Sequence, residues 1–137
     1  MVVDAGLLHH DPSLELTTAL SIVAVNFNME RKYQEAVRVY KYLFMLNQKV
    51  FGPNRIDLIH LYTDYAHVLM LYGKVKSADR YFALAVRFYE SAKKKNPTEA
   101  ISYKLEYKKT LIEYAWVRHL QFDNNGYHAL KSKADAL

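Results

Sequence analysis

The 137-residue sequence contains no cysteine, only four glycines and only three prolines. The lack of cysteine excludes disulfides, thiolate metal sites and cysteine nucleophiles. So few glycines and prolines leave little material for the tight turns that strands require. The sequence also lacks a run of ~18 apolar residues, the length that a membrane-spanning helix needs. Together these absences favour an all-α fold.

The rest of the composition is typical of a globular domain. Apolar residues make up 51% and charged residues 24% of the chain, which is enough apolar material for a packed core. The first 15 residues include acids but neither lysine nor arginine, unlike a secretory signal or an arginine-rich transit peptide. We therefore expect a cytoplasmic protein, with an internal organellar signal as the alternative.

Positive charge is concentrated in the second half of the chain. Residues 74–137 hold thirteen lysines and arginines against seven acids, whereas residues 1–73 hold six against seven. Such an excess suits an acidic protein surface, an acidic lipid or a nucleic acid. The possible basic contact surface consists of Lys93, Lys94, Lys95, Lys104, Lys108 and Lys109. The run of three also has a simpler interpretation, because cations stabilise the last turn of a helix.

A pair of amphipathic helices is predicted over residues 59–90, with a tight turn at Gly73 and Lys74. Glycine can end a helix in the left-handed conformation at little steric cost. The pattern recurs 42 residues earlier in the chain. The pairs at this separation are Ala24 and Ala66, Ala36 and Ala78, Tyr40 and Phe82, Tyr33 and Val75, and Phe27 and Leu69. Alanine at these positions lets two helices approach closely.

This unit resembles the tetratricopeptide repeat, with a small residue midway along the first helix and another early in the second. The usual repeat has roughly 34 residues, so the longer unit is similar to the kinesin light chain variety. The resemblance implies about 2.5 antiparallel helix-turn-helix repeats stacked as a short right-handed solenoid. Arg31 in place of Gly73, and Leu43 in place of Ala85, depart from the family pattern.

The predicted organisation is an N-terminal arm, residues 1–10, and a single helical-repeat domain, residues 11–137. Its repeat units are about 11–53, 54–95 and a capping unit, 96–137. Helices are expected over about 11–29, 32–50, 55–72 and 75–94. Asn96 and Pro97 are good starting residues for a fifth helix that could reach Phe122. A turn at 123–126 precedes a short sixth helix or a frayed end.

Two groups of histidines suggest chemistry. His9, His10 and Asp11 could contribute to a metal site, but such a site needs three or four converging ligands. His60, Asp64 and His67 share one helix face and could hold a metal or act in acid-base catalysis. A solvated or partner-facing helix surface is the more common role of such a stripe. We therefore predict no enzyme activity, catalytic residue, cofactor or metal.

The resemblance implies a partner-binding groove lined by the first helix of each repeat. Its predicted residues are Asn28, Met29, His60, Thr63, His67, Met70 and Leu71. Met70 and Leu71 would supply apolar contacts, and Asn28, Thr63 and His67 would supply hydrogen bonds. The groove lacks the lysine and asparagine set with which some family members clamp a C-terminal carboxylate.

These features predict a non-catalytic adaptor or small accessory subunit of a larger multiprotein assembly, with an organellar assembly as one alternative. A short stack exposes apolar ends that neighbours would cover, so its partners would be proteins. The alternative is an RNA-binding module in the basic half of the chain. There, Tyr103 and Tyr107 alternate with lysines in an arrangement that could stack on bases.

Overall fold

The computed structural model describes the backbone of residues 12–51, 56 and 58–137, and within these ranges the fold is all-α, as predicted. The helices are α1 (Pro12–Met29), α2 (Tyr33–Phe51), α3 (Leu58–Leu71), α4 (Val75–Lys95), α5 (Pro97–Ile101), α6 (Lys104–Leu120) and α7 (Asn124–Asp135). No helix in this part of the chain is long and apolar enough to cross a membrane. The predicted arm, residues 1–10, and Asp11 lie outside the described residues.

The chain forms two compact units, residues 1–53 and 54–137. In the first unit α1 and α2 pack against each other. Ala24, Ala36 and Leu43 are completely buried there, as their matching positions in the two predicted repeats require. Leu16 and Val23 of α1 are exposed, because α1 carries apolar residues around most of its circumference.

The second unit contains α3 to α7. Helix α4 packs on both α3 and α6, while α6 also contacts α3 and α7. Small residues are completely buried in four of the five helices. They are Ala66 in α3, Ala78 and Ala85 in α4, Ala115 in α6 and Ala134 in α7. Alanine at such crossings permits close helix packing, so the positions singled out by the repeat pattern form part of the core.

The chain reverses direction through the same backbone turn in three places. Arg31, Gly73 and Phe122 adopt positive φ angles of 62°, 85° and 60°. The amide after each of them donates to a carbonyl five residues back, with 2.8 Å between nitrogen and oxygen in all three turns. This is the Schellman arrangement that ends many helices. The turns are 42 and 49 residues apart, matching the separations of Ala24, Ala66 and Ala115.

The predicted fifth helix is interrupted after one turn and a half. Asn96 caps α5 as expected, since its side-chain oxygen accepts a 3.1 Å hydrogen bond from the amide of Glu99. The helix then ends at Ile101, and α6 begins at Lys104. Hydrogen bonds from Ser102 and Tyr103 to carbonyls three residues back keep the intervening chain tightly wound. The short α5 therefore lies between α4 and α6 in the chain and packs against α4.

Candidate functional site

A row of polar contacts joins α3 to α6, and we call it the polar ladder. At its centre the hydroxyls of Thr63 and Thr110 lie 2.7 Å apart. Both residues are completely buried. The Thr110 hydroxyl donates to the backbone carbonyl of Glu106 at 2.9 Å, so Thr63 is the donor in the bond between the two threonines. The buried hydroxyls are therefore satisfied within the unit.

Three charged pairs surround this centre. His60 Nδ1 lies 3.1 Å from Glu106 Oε2. Lys109 Nζ lies 3.8 Å from Asp64 Oδ1. On the other side of the threonines is a contact of 2.5 Å between the imidazole of His67 and the carboxylate of Glu113. The predicted stripe of His60, Asp64 and His67 thus faces partners on the neighbouring helix.

The contact between His67 and Glu113 is the tightest of these pairs. Its Nδ1 and carboxylate oxygens are buried, but the approach lacks the alignment of a hydrogen bond, and these atoms have no other hydrogen-bond partner in the described chain. The contact therefore places a polar group of α3 directly against a polar group of α6 in the buried part of the ladder.

Burial sets the electrostatics at Asp64. It raises the pKa of this carboxyl above its ordinary value of 3.8, and the nearby charges of Lys109 and His60 offset only part of that effect. The ionised carboxylate is therefore held in a partly desolvated position. It can regain solvation from water or from a donor on a docked partner.

Exposed apolar side chains lie at the end of each helix face that carries the ladder. On α3 the positions 60, 64, 67 and 71 form one stripe, and on α6 the positions 109, 112 and 116 repeat the spacing of 64, 67 and 71. Residues at this spacing share a helix face. The stripes end at Leu71 and Trp116, whose exposed fractions are 44% and 51%. We call the two stripes the α3–α6 surface.

The predicted groove residues of α3 differ in how far the structure exposes them. His60 and Leu71 are exposed, and His67 and Met70 are half-buried. Thr63 is not at the surface, because its hydroxyl is used by Thr110 in the core. The hydrogen bond that we expected Thr63 to offer a partner is therefore unavailable without separating α3 from α6.

The groove residues predicted in the first unit lie at the end of α1. Met29 is exposed, whereas Asn28 is half-buried. The side-chain oxygen of Asn28 is buried without a hydrogen-bond partner among the described residues. A shallow apolar depression of about 270 Å³ lies further back along the same helix. It is lined by Thr18, Ser21, Ile22, Val25 and Asn26.

A second face of α6 meets α4 through aromatic rings. Tyr89 and Tyr107 stack with ring centroids 3.8 Å apart, and Phe82 stacks on Tyr114 at 5.8 Å. The Tyr107 hydroxyl donates to Glu90. Because Tyr107 is buried, its ring is unavailable to stack on a base.

Arg118 completes the contact between α4 and α6. Its guanidinium donates to Asp79 at 3.0 and 3.1 Å and to Asp123 at 3.2 Å. Asp123 in turn accepts a 2.9 Å hydrogen bond from the amide of Gly126 at the start of α7. That backbone hydrogen bond, with help from Arg118, lowers the pKa of Asp123. Arg118 therefore ties three helices together.

The six lysines of the predicted basic surface differ in their surroundings. Lys109 is paired with Asp64 in the polar ladder, and Lys108 is half-buried. The other four, Lys93, Lys94, Lys95 and Lys104, are exposed at the junction of α4, α5 and α6. The basic surface is therefore centred on that junction.

Sequence reasoning missed the α6 half of the α3–α6 surface. Trp116, Glu106 and Glu113 were not among the predicted groove residues, although Glu106 and Glu113 have the seven-residue spacing of His60 and His67. The available signal was this shared seven-residue spacing, of histidines on one helix and of glutamates on another. The register that aligns them depends on packing, which the sequence pattern does not reveal.

Within the described ranges, no three histidine or acidic side chains are grouped closely enough to hold a metal ion. His9 and His10, the other suggested ligands, lie outside those ranges. A comparison of the chain with known protein families found no matching family model. A comparison with curated proteins likewise found no significant match.

Proposed function

We propose that this protein is a non-catalytic protein-interaction scaffold, an adaptor or small accessory subunit built from tetratricopeptide-like repeats. Burial of the equivalent alanines Ala24, Ala66 and Ala115 supports the repeat assignment. The recurring left-handed turns at the same separations support it independently.

One observation carries the proposal of a binding surface. The polar groups of the ladder are paired among themselves, while Leu71 and Trp116 at the ends of the two stripes remain substantially exposed. Paired polar groups flanked by exposed apolar side chains are typical of a surface that a partner covers. Tryptophan in particular is enriched among residues that dominate binding energy.

The occupant that suits this surface is a helix or an extended segment of another protein. It would place apolar side chains on Leu71 and Trp116 and a hydrogen-bond donor near Asp64. Trp116 would be the principal anchor, since truncating a central tryptophan commonly weakens binding by more than about tenfold. The polar residues would set the orientation of the partner.

Capture followed by a binding measurement tests this proposal. The immobilised full chain would be used to capture proteins, which mass spectrometry identifies, and the affinity of each purified candidate would then be measured by calorimetry. We expect Trp116→Ala to weaken binding by about thirtyfold. The control is Tyr42→Ala, because Tyr42 and Trp116 are both 51% exposed. Equal affinities of the two variants would exclude the α3–α6 surface as the binding site.

A further inference from the structure

Four exposed lysines lie at the junction of α4, α5 and α6. None of Lys93, Lys94, Lys95 and Lys104 forms an ion pair within the described part of the chain. The acid within α5, Glu99, makes its contact with the side-chain amide of Asn96 at 3.3 Å. Glu90 interacts electrostatically with Lys93, but the four lysines outnumber Glu90 and Glu99, so this part of the second unit carries an excess of positive charge.

Two aliphatic side chains project from the same part of the molecule. Ile101 is 70% exposed and Leu105 is 82% exposed. The tight turns through Ser102 and Tyr103 keep these two residues about one helical turn apart. Such large exposed fractions mean that the side chains protrude, in contrast to the half-covered apolar residues of the α3–α6 surface. We call these six residues, the four lysines with Ile101 and Leu105, the basic corner.

A cleft of about 280 Å³ opens within the basic corner. Lys93 and Lys104 line it, and its other lining residues are Tyr89, Pro97, Ala100, Ile101, Ala136 and Leu137. An anionic group joined to an apolar chain satisfies both features, since its charge can meet the ammonium groups while its chain covers the apolar lining residues. Anionic phospholipids have this chemistry.

We propose that the basic corner binds the surface of an anionic phospholipid bilayer. The four lysines meet the phosphate and carboxylate groups of the lipids, and Ile101 and Leu105 enter the boundary between headgroups and acyl chains. Charge and apolar insertion together form the two-part attachment that peripheral proteins need for stable binding. This role is separate from the α3–α6 surface and does not depend on it.

The surroundings of the corner favour a bilayer over a nucleic acid. Aromatic rings that stack on bases must be accessible, but Tyr107 is buried against Tyr89. Protruding aliphatic side chains contribute nothing to phosphate contacts along a nucleic acid, whereas they add binding energy at a bilayer. The exposed pair Ile101 and Leu105 is therefore the discriminating feature.

Vesicle flotation with the full chain tests the proposal. The probes are vesicles of phosphatidylcholine alone and vesicles containing 30% phosphatidylserine. We expect binding to the anionic vesicles alone, with weakening as salt screens the charges. Lys93→Glu with Lys104→Glu should reduce binding at least tenfold, since each lysine near such a surface contributes roughly a fivefold increase in affinity. Ile101→Ser should reduce binding severalfold.

Matched controls separate the corner from general charge and hydrophobicity. Lys41→Glu with Lys76→Glu changes the net charge equally at exposed sites elsewhere. Met45→Ser removes an apolar side chain that is 68% exposed, similar to Ile101. Circular dichroism would verify that all variants are folded. Undiminished vesicle binding by both control proteins supports the proposal.

Three results would overturn it. The first is no flotation of the unchanged protein with anionic vesicles in ~50 mM salt, where electrostatic attraction is strong. The second is an equal loss of binding in the corner and control variants. The third is tighter binding to single-stranded RNA, or to dispersed short-chain phosphatidylserine, than to the anionic bilayer.

Discussion

Helix α6 packs on α4 and on α3 in different ways, and the contrast between these two contacts separates stability from specificity. Against α4 it packs aromatic rings, with Tyr107 on Tyr89 and Tyr114 on Phe82. Against α3 it forms the polar ladder, which centres on the buried hydroxyls of Thr63 and Thr110. Aromatic burial is a large favourable contribution, whereas a paired polar contact contributes little net free energy but is costly to leave half made.

The two contacts therefore have different structural roles in the second unit. The aromatic contact holds α6 in place, and the polar ladder fixes the register in which α3 lies beside it. Register matters because it determines which residues of α6 lie beside the exposed Leu71 and which residues of α3 lie beside the exposed Trp116. Substitutions on the two sides of α6 should therefore differ in size, in additivity and in dependence on pH.

The largest effect is expected on the aromatic side. Phe82 is completely buried and stacks on Tyr114, so Phe82→Ala should lower the free energy of unfolding by about 3 to 5 kcal/mol. Urea unfolding followed by circular dichroism provides the measurement. A loss smaller than that caused by disrupting the ladder would contradict the division proposed above.

The second effect concerns the centre of the ladder. Thr110→Val removes the acceptor of the Thr63 hydroxyl and leaves that donor buried, at a cost of about 1 to 3 kcal/mol. Replacing both threonines by valine should cost less than the two single changes added together, because no unpaired hydroxyl remains. Strict additivity in this double-mutant cycle would show that the two hydroxyls do not interact.

A third, smaller effect is expected at the turn that follows α6. Phe122 is 93% exposed and has a φ of 60°, a conformation that a bulky side chain adopts at a cost. Phe122→Gly should therefore stabilise the protein by about 1 kcal/mol. Gly73→Ala is the reciprocal test and should destabilise by about the same amount. An added Cβ would meet no atom within 4 Å, so the change measures backbone strain without a steric clash.

The smallest effects distinguish the two sides by their pH dependence. Burial opposes ionisation of Glu90 on the aromatic side, but hydrogen bonds from Tyr107 and Lys133 outweigh it and lower the pKa of Glu90 from 4.5. A lowered pKa stabilises the fold above pH 4.5, and this contribution disappears as the pH falls through the lower folded value. Glu90→Gln should thus cost up to about 1 kcal/mol at pH 7 and little at pH 3.

Asp64 in the ladder should behave in the opposite way. Its raised pKa favours the protonated carboxyl in the folded protein, so its contribution is present below pH 3.8 and is lost as the pH rises through the folded pKa. Asp64→Asn should therefore stabilise slightly at pH 7 relative to pH 3. Unfolding curves of both carboxylate variants at the two pH values would reveal whether the dependences have opposite signs.

Much of the fold follows from local patterns in the sequence. The ends of α1, α2 and α4 are within a residue or two of their predicted positions, because the turns after α1 and α3 and the cap at Asn96 are encoded in consecutive residues. The burial of Ala24 and Ala66 also follows from the repeat. By contrast, the break between α5 and α6 contains neither glycine nor proline, so no local signal marks it.

The candidate site was less accessible to sequence reasoning. The stripe of His60, Asp64 and His67 was predicted, but its partners lie about 46 residues away on α6, and no local pattern shows which residues of α6 face it. Thr63 shows the resulting error most clearly. A threonine on a helix face is compatible with water, a partner or a buried hydrogen bond, and the facing Thr110 decides among them.

Ala66 and Ala115 are seven residues further apart in the sequence than Ala24 and Ala66. This difference restricts how the chain can change in length. Seven residues are close to two helical turns, so they rotate a helix face by only about 20°. An insertion of five would rotate it by about 140° and carry the alanine toward water. Viable insertions and deletions near α5 should therefore come in multiples of a heptad, and a deletion scan would show survival at regular intervals instead of a gradual decline.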